Sequence, residues 1–210
     1  MFYCGLPAIF LGKIYKIPVV YELRSVWMYN YKTDKKENIF NKLINSLLLK
    51  LEIISLKKSD YIVYLNNKLK EHIDQLSKNF PASKVIPNAV NLSLINSISK
   101  KTETDEVVFG YVGTLTHYEG IEFLVETFQE MYDDGLKYKL LIYGNGVCKN
   151  SITHLIDRKE NNIHYKGSIP PDKVNSAYSK INVIINPRLN LDITNNVTSL
   201  KPLESICYKK

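Results

Sequence analysis

The chain has 210 residues, of which 45% are hydrophobic and 23% are charged, and its formal net charge is +7. This composition is typical of a soluble globular protein with a sizeable core rather than of a disordered chain. The three cysteines, Cys4, Cys148 and Cys207, form no CxxC pair, so the sequence indicates neither a disulfide framework nor a zinc site. A reducing cytoplasm is the expected compartment.

The positive charge is concentrated in the first half of the chain. Residues 1–100 carry 15 Lys and Arg against 7 Asp and Glu, a net of +8, whereas residues 101–210 carry 13 against 14, a net of −1. This asymmetry favours contact with an anionic surface such as a bilayer or nucleic acid, unless it only reflects the general abundance of lysine. The opening stretch "YCGLPAIFLGKIYKIPVVY" is interrupted by lysines and prolines, so it predicts neither a membrane span nor a secretory signal.

Short β-rich apolar runs alternate with segments of helical periodicity. In chain order the runs are "IPVVYEL", "DYIVYL", "KVIP", "EVVFGYV", "KYKLLIYG", "NNIHYKG" and "INVIINP". This alternation predicts βαβ units, and therefore an α/β protein with parallel sheets.

An apolar stripe at helical spacing follows the first run. Its members are Phe40, Leu43, Ile44, Leu47, Leu48, Leu51 and Ile54. The stripe, flanked by lysines, predicts an amphipathic helix whose apolar face packs on the sheet; the alternative is a basic helix lying on a membrane surface. Residues 93–106 are polar and predict a linker between one domain at 1–92 and a second at 107–210.

Loops that follow the predicted strands are where a ligand is expected, because parallel sheets bind ligands beyond the carboxyl ends of their strands. In the second half these loops are 113–120, 144–147, 167–172 and 187–202. They carry two cations suited to phosphate, Arg188 with a planar guanidinium and Lys201 with a point charge. The stretch "VTSLKPLE" predicts a helix start capped by Thr198 or Ser199, where free N–H groups favour an anion.

Seven segments in order resemble one family, the retaining nucleotide-sugar glycosyltransferases of family 4 (glycosyl transferases group 1). They are "IPVVYELRSVW", "LEIISLKKSDYIVYLNNKLKEHI", "VIPNAVN", "FGYVGTLTHYEGIEFLVETF", "LLIYGNGV", "IHYKGSIPPDKVNSAYSKINVIINP" and "VTSLKPLESI". The resemblance covers nearly the whole chain and implies the GT-B architecture, with two Rossmann-like parallel-sheet domains that are both incomplete. Residues 1–92 would belong to the acceptor-side domain and residues 107–210 to the donor-binding domain.

The resemblance also implies a function and a set of site residues. The activity would be transfer, with retention, of a sugar from a nucleoside diphosphate donor to a glycan or lipid-linked acceptor in envelope polysaccharide synthesis. Arg188 and Lys201 would stabilise the departing diphosphate, and Glu204 would bind the ribose hydroxyls. The other donor-binding positions would be Gly113, Thr114, Gly144, Ser168, Ile169, Thr198, Ser199 and Leu200.

Further contacts are expected at Arg24 and His117, which could reach the sugar, the acceptor or a phosphate. No cofactor or metal is implied, because the donor is itself a substrate and the sequence shows no cluster of carboxylates to hold an ion. The expected location is the cytoplasm, with peripheral contact at the inner face of an anionic membrane. Nucleic acid is not expected as a partner, because no recognisable binding motif organises the 15 tyrosines.

This sequence departs from the family pattern at five positions, two of which are in the crossover between domains, where Ala89 and Asn91 stand for the usual glycine and aspartate. Asn196 stands where the first glutamate of the Glu-x7-Glu pair is usual, and Thr114 and Glu119 stand where an arginine and a lysine are common. The diphosphate site would then depend on Arg188, Lys201 and the backbone. Two alternatives stay open: a sugar-nucleotide isomerase of the same fold, using His117 and Glu119 as acid and base, and an inactive membrane-associating remnant.

Overall fold

The computed structural model describes residues 2–26, 39–90, 107–158 and 160–209. They divide into two compact units, one formed by 1–88 with 190–198 and the other by 89–189 with 199–210. The predicted linker, 93–106, lies outside the described residues. The first unit thus includes Asn190–Thr198, a segment that the sequence prediction grouped with the donor-binding domain.

The first unit contains three strands and four helices among its described residues. In chain order they are α1 (Phe2–Tyr15), β1 (Val20–Leu23), α2 (Ile39–Lys58), β2 (Tyr61–Tyr64), α3 (Asn67–Leu76), β3 (Ser83–Val85) and, further along the chain, α7 (Asp192–Asn196). The strands form a parallel sheet in the order β1-β2-β3. The core between sheet and helices is built from Tyr21, Leu23, Val26, Leu56, Ile62, Tyr64, Leu65, Leu69 and Ile73.

The second unit contains a four-stranded parallel sheet in the order β6-β5-β4-β7. Its strands and helices are β4 (Val108–Val112), α4 (Ile121–Asp133), β5 (Lys139–Tyr143), α5 (Lys149–Asp157), β6 (Ile163–Gly167), α6 (Val174–Ser179), β7 (Val183–Ile184) and α8 (Lys201–Cys207), with short 3-10 helices at His117–Glu119 and Pro171–Lys173. The seven strands of the two sheets fall on the seven predicted runs. The α/β class with parallel sheets is therefore confirmed.

Both faces of the second sheet are covered, as the alternation of side chains along β5 shows. Leu140 and Ile142 pack with α4 and α5, whereas Leu141 and Tyr143 point to the opposite face and pack with Ala177 and Ile181. Successive strand residues point to opposite faces, so a fully apolar strand such as "LLIY" must lie between two layers. This layering holds the carboxyl ends of the strands in fixed positions.

Helix α1 was not predicted, since Gly5 and Pro7 argue against a helix in the sequence. Its small residues allow close packing: a side chain at Gly5 would collide with the ring of Tyr21, and one at Gly12 would collide with Val19. The helix is therefore stabilised by contact with β1 rather than by intrinsic propensity.

Helix α2 forms as predicted, but only part of the predicted stripe packs on the core, where Leu48 is partly buried. Its fully buried residues are Glu52, Ser55 and Leu56, and the Tyr21 hydroxyl donates a hydrogen bond to Glu52 at 2.8 Å. The stripe residues Phe40 and Leu47 are 68% and 57% exposed. Packing of the whole stripe on the sheet was thus a wrong expectation. Within the described ranges, none of the helices combines the length and apolar character needed to cross a bilayer.

Candidate functional site

A cavity of about 330 Å³ opens at the carboxyl ends of β4, β5 and β6. Five residues predicted to bind a donor line it: Gly113, Thr114, Gly144, Ser168 and Ile169. The remaining lining residues are Val112, Tyr143, Asn145 and Val174. The structure therefore brings together predicted positions from three separate loops, at the sheet edge where ligands of open parallel sheets bind.

Glycine is required at Gly144, and at Gly113 it leaves room for the side chain of Lys201. A side chain at Gly144 would run into the carbonyl oxygen of Gly113, and the φ angle of Gly144 is 149°, which L-residues rarely adopt. A side chain at Gly113 would collide with the Cε of Lys201. The loops are also tied together, since the Gly113 N–H donates to Tyr143 O at 3.0 Å and the Gly144 N–H donates to Gly167 O at 2.8 Å. Bare backbone therefore forms one wall of the cavity.

Two predicted phosphate-binding cations, Lys201 and Arg188, meet around one carboxylate; neither is among the cavity-lining residues, but Lys201 contacts Gly113, which is. Lys201 Nζ lies 2.5 Å from Glu119 Oε2, and Arg188 Nε lies 3.6 Å from Glu119 Oε1. The cation side chains are each 13% exposed and the glutamate side chain is 9% exposed. Removal of water strengthens these charge interactions. The site thus holds two cations and one buried carboxylate.

The aromatic ring of Tyr111 forms the floor beneath this cluster. Lys201 Nζ lies 5.0 Å from the ring centroid, within the range of a cation–π contact, and the Tyr111 hydroxyl donates to Thr114 O at 2.7 Å. Burial lowers the pKa of the Lys201 ammonium, and the Glu119 carboxylate acts in the opposite direction. Burial and the same carboxylate raise the pKa of Tyr111, which stays protonated as a hydrogen-bond donor.

Glu204 lies on α8, one turn after Lys201, and is held by a tyrosine pair. The Tyr178 hydroxyl donates to Glu204 Oε2 at 3.1 Å, and the Tyr178 ring stacks on Tyr208 with a centroid distance of 4.2 Å. Burial is the larger cause that raises the pKa of Tyr178, and the negative charge of Glu204 raises it further. Glu204 is not among the residues that line the cavity; the structure places it on the same helix as Lys201.

The predicted cap at Thr198 or Ser199 was wrong, because the N-cap of α8 is Leu200, which makes no side-chain capping hydrogen bond. The Lys201 N–H donates to Ser199 Oγ at 3.3 Å, directly after the exposed Leu200. Thr198 belongs to the first unit, where its Oγ1 accepts a hydrogen bond from Asn66 Nδ2 at 3.0 Å. Of the two predicted caps, Ser199 contacts the start of α8.

The two remaining predicted contacts are engaged with neighbours in their own units. In the first unit, Arg24 Nε lies 3.0 Å from Glu22 Oε1, with both side chains more than half exposed. In the second unit, His117 Nδ1 lies 3.2 Å from Cys148 Sγ and 3.6 Å from Glu122 Oε2. His117 is not among the cavity-lining residues.

Sequence reasoning treated Glu119 as a departure from a family pattern and as an acid/base candidate of the isomerase alternative, and it did not predict the pairing of Glu119 with the two cations. A signal was available: an acidic residue in the loop after β4 lies at the same sheet edge as two predicted cations, and opposite charges at one buried edge are expected to pair. Tyr111 was not predicted as a site residue, because the apolar pattern of a strand does not show which of its side chains reaches the site at the carboxyl end of the sheet.

Comparisons with known proteins agree with this geometry. A sequence profile of the family described as "Glycosyl transferases group 1" matches residues 106–210. An uncharacterized glycosyltransferase of Methanocaldococcus jannaschii is 26% identical over 174 residues, which is 77% of this chain and 42% of the relative. The chain thus spans less than half of this curated relative.

Solved structures show the same fold at low sequence identity. Sucrose-phosphate synthase from Thermosynechococcus elongatus superposes with a TM-score of 0.70 at 18% identity, over 89% of this chain and 48% of that one. The pneumococcal O-GlcNAc transferase GtfA, in complex with UDP and GlcNAc, gives a TM-score of 0.59 at 16% identity, over 77% of this chain and 31% of that one. These similarities confirm the predicted GT-B type of α/β fold. With a profile that spans half of its residues, including the cavity loops and the Lys201–Glu119 pair, the chain belongs to the glycosyl transferases group 1 family.

Proposed function

We propose that this chain carries the donor site of a retaining glycosyltransferase, which moves a sugar from a nucleoside diphosphate to a glycan or lipid-linked acceptor. The observation that carries the proposal is the contact of Lys201 with Gly113, which lines the cavity at the ends of β4 and β5, while Arg188 lies near Glu119, the carboxylate partner of Lys201. The names of two structural neighbours support the ligand class, since GtfA is described in complex with UDP and TarM in complex with UDP and α-GlcNAc-glycerol.

The cavity and the cations have complementary roles in this proposal. The backbone at Gly113 and Gly144 allows close approach of the diphosphate, and Lys201 and Arg188 stabilise the charge that develops as it departs. The bond between the sugar carbon and the phosphate oxygen breaks while an acceptor oxygen bonds to the same face of the sugar. The acceptor proton passes to the departing phosphate oxygen. The donor is the substrate, and no cofactor is proposed for this step.

Glu119 has to release its cations, at least in part, when the diphosphate binds. In the structure it neutralises Lys201 at 2.5 Å, so it stands in for one negative charge of the ligand. The oxygens of the diphosphate would replace the Glu119 carboxylate as the partner of the cations. This exchange costs less free energy than leaving two buried cations unpaired. Glu119 therefore stabilises the two cations whenever no diphosphate is bound.

The nucleoside would lie beyond the diphosphate, toward Ser168 and Ile169, whose backbone would meet the base. Glu204 would accept hydrogen bonds from the ribose hydroxyls, a role that suits a carboxylate already oriented by Tyr178. The identity of the base is left open, because backbone contacts can serve several bases.

The isomerase alternative requires an acid and a base that are both available to the sugar. His117 instead contacts Cys148 and Glu122, and Glu119 is paired with Lys201 and Arg188. Both candidates are engaged elsewhere, so the geometry favours transfer.

Peripheral contact with the inner face of an anionic membrane is proposed for α2. The helix exposes Phe40, Leu43 and Leu47, and the exposed lysines Lys50 and Lys57 lie on the same helix. Flotation with anionic vesicles should recover the chain, and Leu47→Asp should reduce recovery. Equal recovery with neutral vesicles, or no effect of the substitution, would argue against this contact.

The donor proposal is tested by calorimetric titration of the chain with UDP, GDP and ADP. Lys201→Ala and Glu204→Ala are expected to weaken binding by at least about tenfold each, because each removes a charged partner of the ligand. Matched controls are Lys137→Ala, before β5 at the opposite end of the strand, and Glu126→Ala on the exposed face of α4. Affinity for all three nucleotides that is unchanged by both site variants would refute the assignment.

A further inference from the structure

Three side chains from different elements converge next to the cavity loops. They are His117 at the start of a 3-10 helix, Glu122 in the first turn of α4, and Cys148 directly before α5. One ligating atom from each lies within 4.8 Å of the other two. Imidazole, carboxylate and thiol are three donor types that zinc accepts together.

Two of the three distances between the ligand atoms are close to the edges of a zinc coordination tetrahedron, and the third is within 4.8 Å. With zinc bonds of about 2.0–2.3 Å, neighbouring ligand atoms in a tetrahedron are about 3.4–3.6 Å apart. In the structure, Cys148 Sγ lies 3.2 Å and Glu122 Oε2 lies 3.6 Å from His117 Nδ1. An ion could therefore enter by shifts of these side chains, without movement of the loops that carry them.

A hydrogen-bonded catalytic triad does not explain this arrangement. In a triad the nucleophile and the orienting carboxylate contact different nitrogens of the imidazole. Here the thiol and the carboxylate both contact Nδ1 of His117. One ring nitrogen offers one lone pair or one proton, so it cannot serve both groups well, whereas a single ion at the common point would bind all three.

The surroundings orient the ligands as the outer shell of a metal site does. The Ser151 hydroxyl donates to Glu122 Oε1 at 2.5 Å and so leaves Oε2 directed at the histidine. The Cys148 N–H donates to Leu115 O at 3.1 Å, which fixes the start of α5 against the loop after β4. Such outer hydrogen bonds raise the affinity of a metal site.

The burial of the three groups fits a site that opens to solvent on one side. Cys148 is 1% exposed, while the side chains of Glu122 and His117 are 35% and 50% exposed. A thiolate excludes the hard ions Mg²⁺ and Ca²⁺ and favours Zn²⁺. We propose that His117, Glu122 and Cys148 bind one Zn²⁺ ion, with the thiol proton released to solvent and water in the fourth position.

Zinc in this place would join two loops of the cavity. His117 follows Thr114 in the loop after β4, and Cys148 follows Asn145 in the loop after β5. The ion would hold both loops to α4 and stabilise the cavity without touching its ligand. This inference does not depend on the proposed glycosyl transfer.

The test is titration with Co²⁺, a spectroscopic substitute for Zn²⁺, in a Cys4→Ser/Cys207→Ser background that removes the other two thiols. One equivalent should bind with a thiolate-to-cobalt charge-transfer band and tetrahedral d–d absorption, and Zn²⁺ should displace it. His117→Ala and Cys148→Ser should weaken binding more than about 100-fold, beyond the effect of losing an outer-shell group. His154→Ala, an exposed histidine on α5, is the matched control and should bind normally.

A second measurement keeps the test decisive if Cys148→Ser fails to fold. Zn²⁺ at about 100 times its Kd should raise the Tm of the background protein by roughly 5–10 °C. Glu122→Gln should reduce that rise and Glu126→Gln should not. Cobalt absorption without a thiolate band, or binding and a Tm rise that are unchanged in His117→Ala, would overturn the proposal.

Discussion

Replacing Glu119 with glutamine is expected to destabilise the ligand-free protein while tightening its hold on a diphosphate. The substitution keeps the shape of the side chain and removes the charge that pairs with Lys201 at 2.5 Å and lies 3.6 Å from Arg188. Removing one partner of a buried ion pair costs about 3–5 kcal/mol, because the other charge stays buried without compensation. The cations retain 13% exposure, so the lower end of this range is expected.

The corresponding change in melting temperature is large enough to measure. For a chain of this size, 1 kcal/mol shifts the Tm by about 2–4 °C, so the variant should melt roughly 6–12 °C lower. Differential scanning calorimetry at neutral pH measures the change, with Glu126→Gln on the exposed surface of α4 as the matched control. A Tm for Glu119→Gln within about 2 °C of that of the control would refute the reasoning, because the pair would then contribute no more than a surface charge.

Ligand binding gives an independent readout of the same variant. The Glu119 carboxylate competes with a diphosphate for Lys201, so its removal should tighten UDP binding by roughly tenfold, which corresponds to about 1.4 kcal/mol. The Tm rise caused by UDP should therefore be larger in the variant than in the native chain. Weaker UDP binding would mean that Glu119 orients the cations rather than competing for them.

Three further substitutions test the packing of each unit by itself. Tyr64→Phe removes a buried hydroxyl that makes no hydrogen bond within the described part of the chain, and should raise the free energy of unfolding by about 1 kcal/mol. Burial raises the pKa of Tyr64 from 10.0 to about 12. The folded state therefore keeps this proton to a higher pH than the unfolded state does. The free energy of unfolding is then unaffected by this group below pH 10 and falls between pH 10 and about pH 12, by up to about 1.4 kcal/mol per pH unit. Denaturant unfolding between pH 10 and pH 12 should show a smaller decrease of the free energy of unfolding with pH in Tyr64→Phe than in the native chain. An equal decrease in both would contradict the reasoning. Gly144→Ala should abolish the native fold of the second unit or lower its Tm strongly, because the new methyl group overlaps a backbone carbonyl. Gly135 also has a positive φ but has open space around it, so Gly135→Ala should cost only about 1 kcal/mol of stability. Equal shifts of the Tm in the two variants would disprove the steric explanation. Tyr178→Phe removes the donor to Glu204 and should cost about 1.5–3 kcal/mol of stability by chemical denaturation, and a neutral result would show that this hydrogen bond adds nothing.

Much of the architecture could be predicted because its signals are local. Apolar runs such as "KLLIY" and "DYIVY" predict strands wherever they lie, since period and β-branched content act over a few residues. The alternation with helical segments then predicts parallel sheets, because parallel strands need long crossover connections. The glycines at 113 and 144 fall directly after strands, so the cavity loops were also accessible from the sequence.

The buried face of α2 shows where local patterns stop being informative. The stripe through Phe40 and Leu47 has the right period for packing, yet the structure buries Glu52, Ser55 and Leu56 instead. The selection depends on the partner: the Tyr21 hydroxyl provides a hydrogen bond for Glu52, and this lowers the cost of burying a carboxylate. A helical pattern records which faces are apolar, and the neighbouring sheet decides which of them is covered.

The sequence by itself determined the strand order along the chain, the parallel class and the loops that carry the site. Only the tertiary structure decided which charges meet. Lys201 and Glu119 are 82 positions apart, and His117 and Cys148 are 31 apart. Side-chain pairing at such separations depends on the register of β4 beside β5 and on the direction in which each loop leaves its strand. The physical reason is that a charge or a thiol acts over a few ångströms in space, whereas the periodicity that a sequence displays acts only between near neighbours in the chain.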